Sequence, residues 1–255
     1  CKLVTDQIAE GMQPHLVCSA MGKTTNNLLA AADRAISRGE VDLEAVRTLH
    51  AETAKTLGLE KSAEYADVCT LMDEAERILE GVSMLGELSP RTRDRVVSYG
   101  ERMSGRMVAA CLETMGQPAV QIESWDLGVL TDSGFGDAQI LDECWPKIKE
   151  EVGKIKPGTV GVITGFIGKD VDGAITSAAL AAAKVPAPTL ARRRSIESIC
   201  ICFCALDFFS RKHARPRSQK MAYIFVQHGI FPLILPLILA YAIWNQSHKI
   251  AKLTL

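Results

Sequence analysis

The chain has 255 residues, of which 47% are hydrophobic and 23% charged, enough for a buried core and for one large domain or two small ones. Its formal net charge of −1 says nothing about a nucleic-acid partner, and none is expected. The average hides two unlike segments. Residues 1–176 hold 18 Lys and Arg against 28 Asp and Glu, a balance of −10, whereas 177–255 hold 11 against 2, a balance of +9. A single compact domain rarely reverses sign so sharply, which places a boundary near Thr176.

The opening CKLVTDQIAEGM reads as an amphipathic helix entered part-way, with no signal or transit peptide. PHLVCSA follows as a short buried strand. The next stretch, VCSAMGKTTNNLL from Val17 to Leu29, contains Gly22-Lys23-Thr24 and invites a P-loop reading. That motif needs a glycine five residues ahead of Gly22, where its backbone turns to aim N–H groups at phosphate, and Val17 stands there. The P-loop is therefore rejected, and a strand, a turn of small residues and a helix from about Thr24 to Ser37 remain, with Thr24 or Thr25 as N-cap. A turn of this kind exposes free N–H groups at the positive end of a helix dipole and suits an anion.

Leu43–Leu57 and Glu64–Leu79 continue the helical periodicity. The clearest helix runs from Ser89 as cap and Pro90 in the first turn to Gly116, with Val96, Val97, Met103, Met107, Val108 and Leu112 at helical spacing. Within it, Glu101 follows Gly100. It is either a carboxylate offered to a ligand amine or a metal, or a solvated helix residue paired with Arg102 or Arg106. PAVQIES and GVLT read as strands, Ala138–Val152 as a helix, and GTVGVITGFIG as a β-branched strand ending in a glycine turn. Strands alternating with helices imply an α/β layer fold with a largely parallel sheet. Ligands bind such sheets beyond the carboxyl ends of the strands, which selects Ser19–Asn26, Asp126–Asp132 and Gly165–Asp170.

Cys1, Cys18, Cys69, Cys111 and Cys144 are scattered as reduced core cysteines are. Past Thr176, SAALAAAKVPAPTLARRRS is alanine-rich and then basic, as an out-of-frame reading of GC-rich coding DNA would be, which fits a frameshift or a retained intron. CICFC places Cys200, Cys202 and Cys204 on one side of an extended chain, yet a zinc site wants a second pair, and no metal is expected. Gly229–Trp244 is 16 residues without charge. A spanning helix needs about 20 residues. Pro232 and Pro236 interrupt the run, so it reads as an exposed apolar tail, with membrane association through 221–244 as the alternative.

Four stretches, VCSAMGKTTNNLL, GELSPRTRDRVVSYGERMS, ESWDLGVLTDSGFGDA and VGVITGFIGKD, together resemble aspartate kinase of the monofunctional plant and algal kind, over residues 1–176. The resemblance implies a three-layer α/β/α sandwich of the amino-acid kinase type. It also implies transfer of the ATP γ-phosphoryl group, with Mg2+, to the side-chain carboxylate of L-aspartate, at the head of lysine, threonine, methionine and isoleucine synthesis. An oligomeric parent and a plastid location, or otherwise a cytoplasmic one, follow by family only. Residue by residue, Ser19 matches the serine on the ATP phosphates and Thr25 a threonine lining the aspartate pocket. Glu101 matches the glutamate that takes the substrate ammonium, and Phe166 a residue packed near aspartate. The family's opening Lys-Phe-Gly-Gly strand has no counterpart in this sequence. Its Leu-Gly-Arg-Gly-Gly-Ser-Asp segment is replaced after Thr176 by SAALAAAK. A partial catalytic domain without turnover of its own is therefore expected, and a non-catalytic interaction or membrane-associated fragment is the alternative.

Overall fold

The computed structural model describes residues 2–9, 11–177 and 200–203. Four parallel strands form the main sheet in the order β2-β3-β1-β6: β1 is His15–Cys18, β2 Ala119–Ile122, β3 Val160–Thr164 and β6 Cys200–Phe203. A short antiparallel hairpin, β4 (Ile167–Lys169) and β5 (Ile175–Ser177), follows β3. The helices are α1 (Lys2–Ala9), α2 (Thr24–Arg38), α3 (Glu44–Leu57), α4 (Ala63–Leu85), α5 (Pro90–Thr114) and α6 (Trp145–Gly153).

The register shows how the layers arise. Partners across a parallel ladder share a face, so Leu16, Val162 and Gln121 point one way and Val17, Ile163 and Ile122 the other. The first face is apolar and closed: Leu16, Cys18, Val160 and Val162 pack with Ala109 and Leu112 of α5 and with Val4 of α1. On the other face, the side chain of Ile155, just after α6, comes within 2.8 Å of where a Cβ on Gly161 would sit. The connection from β1 to β2 thus crosses on one face through α2–α5, and the return from β2 to β3 crosses on the other through α6. Right-handed crossovers require this when the chain steps two places one way and one place back. The result is the expected α/β/α layering.

α5 is the organising element. Ser89 caps it, accepting the Thr92 N–H at 3.1 Å, and Pro90 fills the first turn. Its outer side joins Leu28, Val46, Leu71, Leu79, Val96, Tyr99 and Met103 in a second core shared with α2, α3 and α4. Each such fully buried side chain contributes roughly 1.5–3 kcal/mol.

Several expectations need correction. α4 runs on to Leu85 instead of stopping at Leu79. The helix expected from Ala138 begins only at Trp145, after a 3-10 turn at Asp142–Cys144, and GVLT forms isolated bridges, Leu130 to Lys169 and Thr131 to Ile140. The cause is side-chain bonding in the intervening loop: the Asp132 carboxylate takes the Gly134 and Gln139 N–H groups, and Asp94 of α5 takes the Gly136 N–H. These bonds hold the backbone out of regular structure. The apolar stretch 221–244 and Cys204 lie outside the described residues. Among the described residues no helix is long and apolar enough to cross a membrane.

Two imidazoles are buried in these cores. His15 Nδ1 accepts the Gly161 N–H at 3.0 Å, while His50, fully buried, places Nδ1 2.8 Å from the Val46 carbonyl and leaves Nε2 without a partner. Burial pushes both below the ordinary imidazole range. The unfolded chain then takes up protons that the folded chain refuses, so this contribution to stability is complete above about pH 6.5 and is lost as pH falls. Relative to a His50→Leu variant, the protein should lose melting temperature between pH 7.5 and 5.5. A difference that stays constant across that interval would refute the assignment.

Candidate functional site

The carboxyl ends of β1 and β3 lie side by side, with Cys18 paired to Thr164. Beyond them the chain turns at Ser19–Lys23 and at Gly165–Phe166. The second turn closes on the first: the Gly165 N–H donates to the Cys18 carbonyl at 2.8 Å, and a Cβ on Gly165 would stand 3.0 Å from Val17 and 3.1 Å from that oxygen. Only glycine allows this approach. Phe166 then takes a left-handed conformation, φ 56°, alone among the non-glycine residues described. Such a conformation costs on the order of 1–3 kcal/mol and persists where the surroundings enforce it, typically at a functional site.

α5 crosses over the first turn. A Cβ on Gly100 would lie 2.8 Å from the Ala20 methyl and 3.6 Å from Thr25 Oγ1, so the helix touches both the turn and the first residues of α2. The N-terminus of α2 is not capped by a threonine as expected. Lys23 occupies the cap position with no side-chain bond, and Thr24 is buried and donates its hydroxyl back to the Met21 carbonyl at 2.6 Å. That choice leaves the Thr25 side chain half-buried toward α5 and the first N–H groups of α2 without side-chain acceptors.

Glu101 lies where α5 meets this turn and is 4% exposed. The Ala20 N–H is bonded to its carboxylate, yet Oε2 has no partner. Burial raises its pKa to about 7, and the backbone bonds offset this only in part. The solvated-face reading of Glu101 is thus overturned. Arg102 and Arg106 turn instead to Glu123, at 3.3 and 3.0 Å. Asp94, two turns earlier on the same helix, is a contrast. It is equally buried, but its oxygens take the Gly136 and Ser177 N–H groups and the Ser177 hydroxyl. Asp94 is therefore structural, whereas Glu101 keeps one buried oxygen without a partner.

Ser19, Thr25 and Phe166 are each half-buried. Gly165, beside Phe166, meets Cys18, beside Ser19, and Gly100, beside Glu101, meets Ala20 and Thr25, so the segments that carry the four expected positions adjoin one another near the N-terminus of α2. This arrangement can neutralise a ligand ammonium and, beside it, an anionic group. The third predicted segment, Asp126–Asp132, reaches the hairpin next to it through the Thr131 N–H to the Lys169 carbonyl, 2.9 Å. Glu123 was not foreseen. The signal available was the alternation in β2, which puts two polar residues, Gln121 and Glu123, on the face that meets α5.

Known proteins agree with this architecture. The chain is 35% identical over 195 residues to Aspartokinase 1, chloroplastic, of Arabidopsis thaliana, covering 73% of this chain and 34% of that protein. It is 38% identical over 165 residues to Aspartokinase 2, chloroplastic, of the same plant, covering 62% and 30%. It thus spans about a third of the length of these relatives. Escherichia coli aspartokinase III, solved in complex with lysine and aspartate, superposes with a TM-score of 0.56 at 22% identity over 65% of this chain and 37% of that one, a likeness of fold. Residues 1–191 match the amino acid kinase family, and with three-quarters of its length inside that match the chain belongs to it.

Proposed function

We propose that residues 1–176 form the aspartate-holding lobe of an aspartate kinase, which transfers the ATP γ-phosphoryl group to the side-chain carboxylate of L-aspartate. The observation that carries this reading is Glu101: a buried carboxylate, held on one side by the Ala20 N–H and unpaired on the other, on the stretch of α5 that meets the turn before α2. In this reading Glu101 takes the α-ammonium group, Thr25 and Phe166 bound the pocket, and Ser19 with the N-terminus of α2 faces the nucleotide phosphates. Phosphoryl transfer is chiefly positioning and charge neutralisation, and these residues supply both. Among the described residues no group of three or more His, Cys, Asp or Glu is placed to hold a metal ion. In this reading Mg2+ enters with ATP, as the counterion of its phosphates. The plant relatives are chloroplastic by name, and a plastid location is proposed for this chain on that likeness. The division near Thr176 belongs to the same proposal, resting on the charge reversal there.

Calorimetric titration with L-aspartate tests the reading. L-Aspartate should bind at pH 8, while succinate, which keeps both carboxylates and lacks the ammonium group, should not. Equal binding of the two would overturn it. Phe166→Gly should weaken L-aspartate binding by about tenfold while stability changes by no more than about 1 kcal/mol, because relief of the left-handed strain offsets the lost ring contacts. Because SAALAAAK replaces the family's arginine–aspartate segment, hydroxamate trapping should detect no aspartyl phosphate from this chain alone.

A further inference from the structure

Glu123 stands just beyond β2, buried, and its Oε1 receives both Arg102 Nε at 3.3 Å and Arg106 Nη1 at 3.0 Å. All three side chains are largely covered, at 17, 16 and 10% exposure for Arg102, Arg106 and Glu123. Arg106 Nη1 also donates to the Arg102 carbonyl at 2.9 Å, and the Arg102 guanidinium lies 5.1 Å from the Tyr99 ring centre and 6.0 Å from that of Trp125. Both guanidinium groups are thus fixed on the β2 side of α5. Both also follow Glu101 within five residues on the same helix. One carboxylate oxygen carries two cations while the other, Oε2, has no partner. That is a poor arrangement for Glu123 itself, since a buried ion cluster with an unsatisfied oxygen stabilises little.

We propose that Glu123 is a positioning residue: by holding Arg102 and Arg106 against β2 it keeps them off Glu101, leaving the Glu101 carboxylate open to a ligand's ammonium group. This rests on the reading of Glu101 as the ammonium acceptor. A bare buried carboxylate close to unpaired arginines is neutralised by them, because a charge-assisted pair in a poorly hydrated site is strong. An internal pair would occupy the oxygen that the ligand needs. Other charged groups on the surrounding elements are accounted for. Asp94 is bonded to Gly136 and Ser177, Lys23 is exposed in the turn before α2, and Lys169 of β4 lies 4.6 Å from the Trp125 ring centre. Burial and backbone bonds are what act on Glu101, with no guanidinium among them.

The test follows the Glu101 carboxyl by carbon-13 NMR in the ligand-free chain, and separately follows L-aspartate affinity. In Glu123→Gln the Glu101 titration should move down by about one unit or more as an arginine pairs with it, and affinity should fall about tenfold. Glu123→Asp should restore both. The triple variant Glu123→Gln, Arg102→Met, Arg106→Met should titrate and bind as the unaltered chain does, and it serves where Glu123→Gln alone fails to fold. An unmoved Glu101 titration in folded Glu123→Gln overturns the proposal, as does loss of the original titration or affinity in the triple variant. If L-aspartate binds no form, the unaltered chain included, while the Glu101 titration still shifts as stated, the substrate reading fails and the role of Glu123 stands.

Discussion

Glu101→Gln should make the protein more stable at pH 8 and a much weaker holder of an ammonium ligand. The folded protein raises this carboxyl from its ordinary 4.5 to about 7 by burying it. A raised carboxyl contributes full stability only below its unfolded value and loses it as pH rises through the folded one. Between pH 4.5 and 7 the unfolded chain gives up a proton that the folded chain keeps, at a cost of about 3 kcal/mol by pH 8. Glutamine cannot ionise, and its amide oxygen can still accept the Ala20 N–H. The stability gap should therefore open between pH 4.5 and 7 and stay level above. Binding should run the other way. L-Aspartate affinity of the unaltered chain should fall about tenfold per pH unit below about pH 7, as the carboxylate protonates. In Glu101→Gln it should be lower by about a hundredfold and insensitive to pH, since one partner of a buried charge pair is gone. Chemical denaturation at pH 4.5, 6, 7 and 8, paired with calorimetry, checks both arms. Equal stability of the two proteins at pH 8 would show that Glu101 is hydrated, and the argument for a ligand-holding carboxylate would fall with it.

That prediction could be framed from the sequence only in part. α5 was legible because its signals agree: Ser89 and Pro90 at the start, apolar residues at helical spacing, Gly116 at the end. The turn after β1 was legible because small residues between an apolar strand and a helix leave few alternatives. Electrostatics was not legible. Arg102 and Arg106 are the cations nearest to Glu101 in the sequence, and only the tertiary meeting of α5 with Glu123 shows where they turn. The spare oxygen on Glu101 is the outcome of that meeting. The strand expected at GVLT and the helix start expected at Ala138 were misread for a related reason. There Asp94 and Asp132 fix the backbone through side-chain bonds that no periodicity announces. Family likeness suggested the four positions, and packing shows how the segments that carry them adjoin: at Gly165 and Gly100 the neighbouring turn comes too close for a side chain.

Gly100→Ala should be destabilising, against the usual trend. In an exposed helix interior this exchange is worth up to about 1 kcal/mol in favour of alanine, because it reduces backbone freedom in the unfolded chain. Here the new methyl would lie 2.8 Å from the Ala20 methyl, a group with no rotamer to yield, and 3.6 Å from both Thr24 Cγ2 and Thr25 Oγ1. Either α5 or the turn must move. α5 is held on its far side by the core that includes Tyr99 and Met103, and along its length by Asp94 and the Arg102–Glu123 pair, so the turn should yield. Overpacking of this kind costs roughly 1–3 kcal/mol. Displacing Ala20 also breaks the N–H bond that fixes the Glu101 carboxylate and shifts Ser19 and Thr25 away from it. L-Aspartate affinity should drop by about tenfold or more, beyond what the stability loss alone would cause, since a displacement of about 1 Å is enough to misalign a binding constellation. Ala20→Gly in the same chain removes the opposing methyl and should recover most of both losses. If Gly100→Ala proves neutral or stabilising, or if Ala20→Gly fails to rescue it, α5 does not press on the turn, and the close approach of Glu101 to the N-terminus of α2 would have to be abandoned.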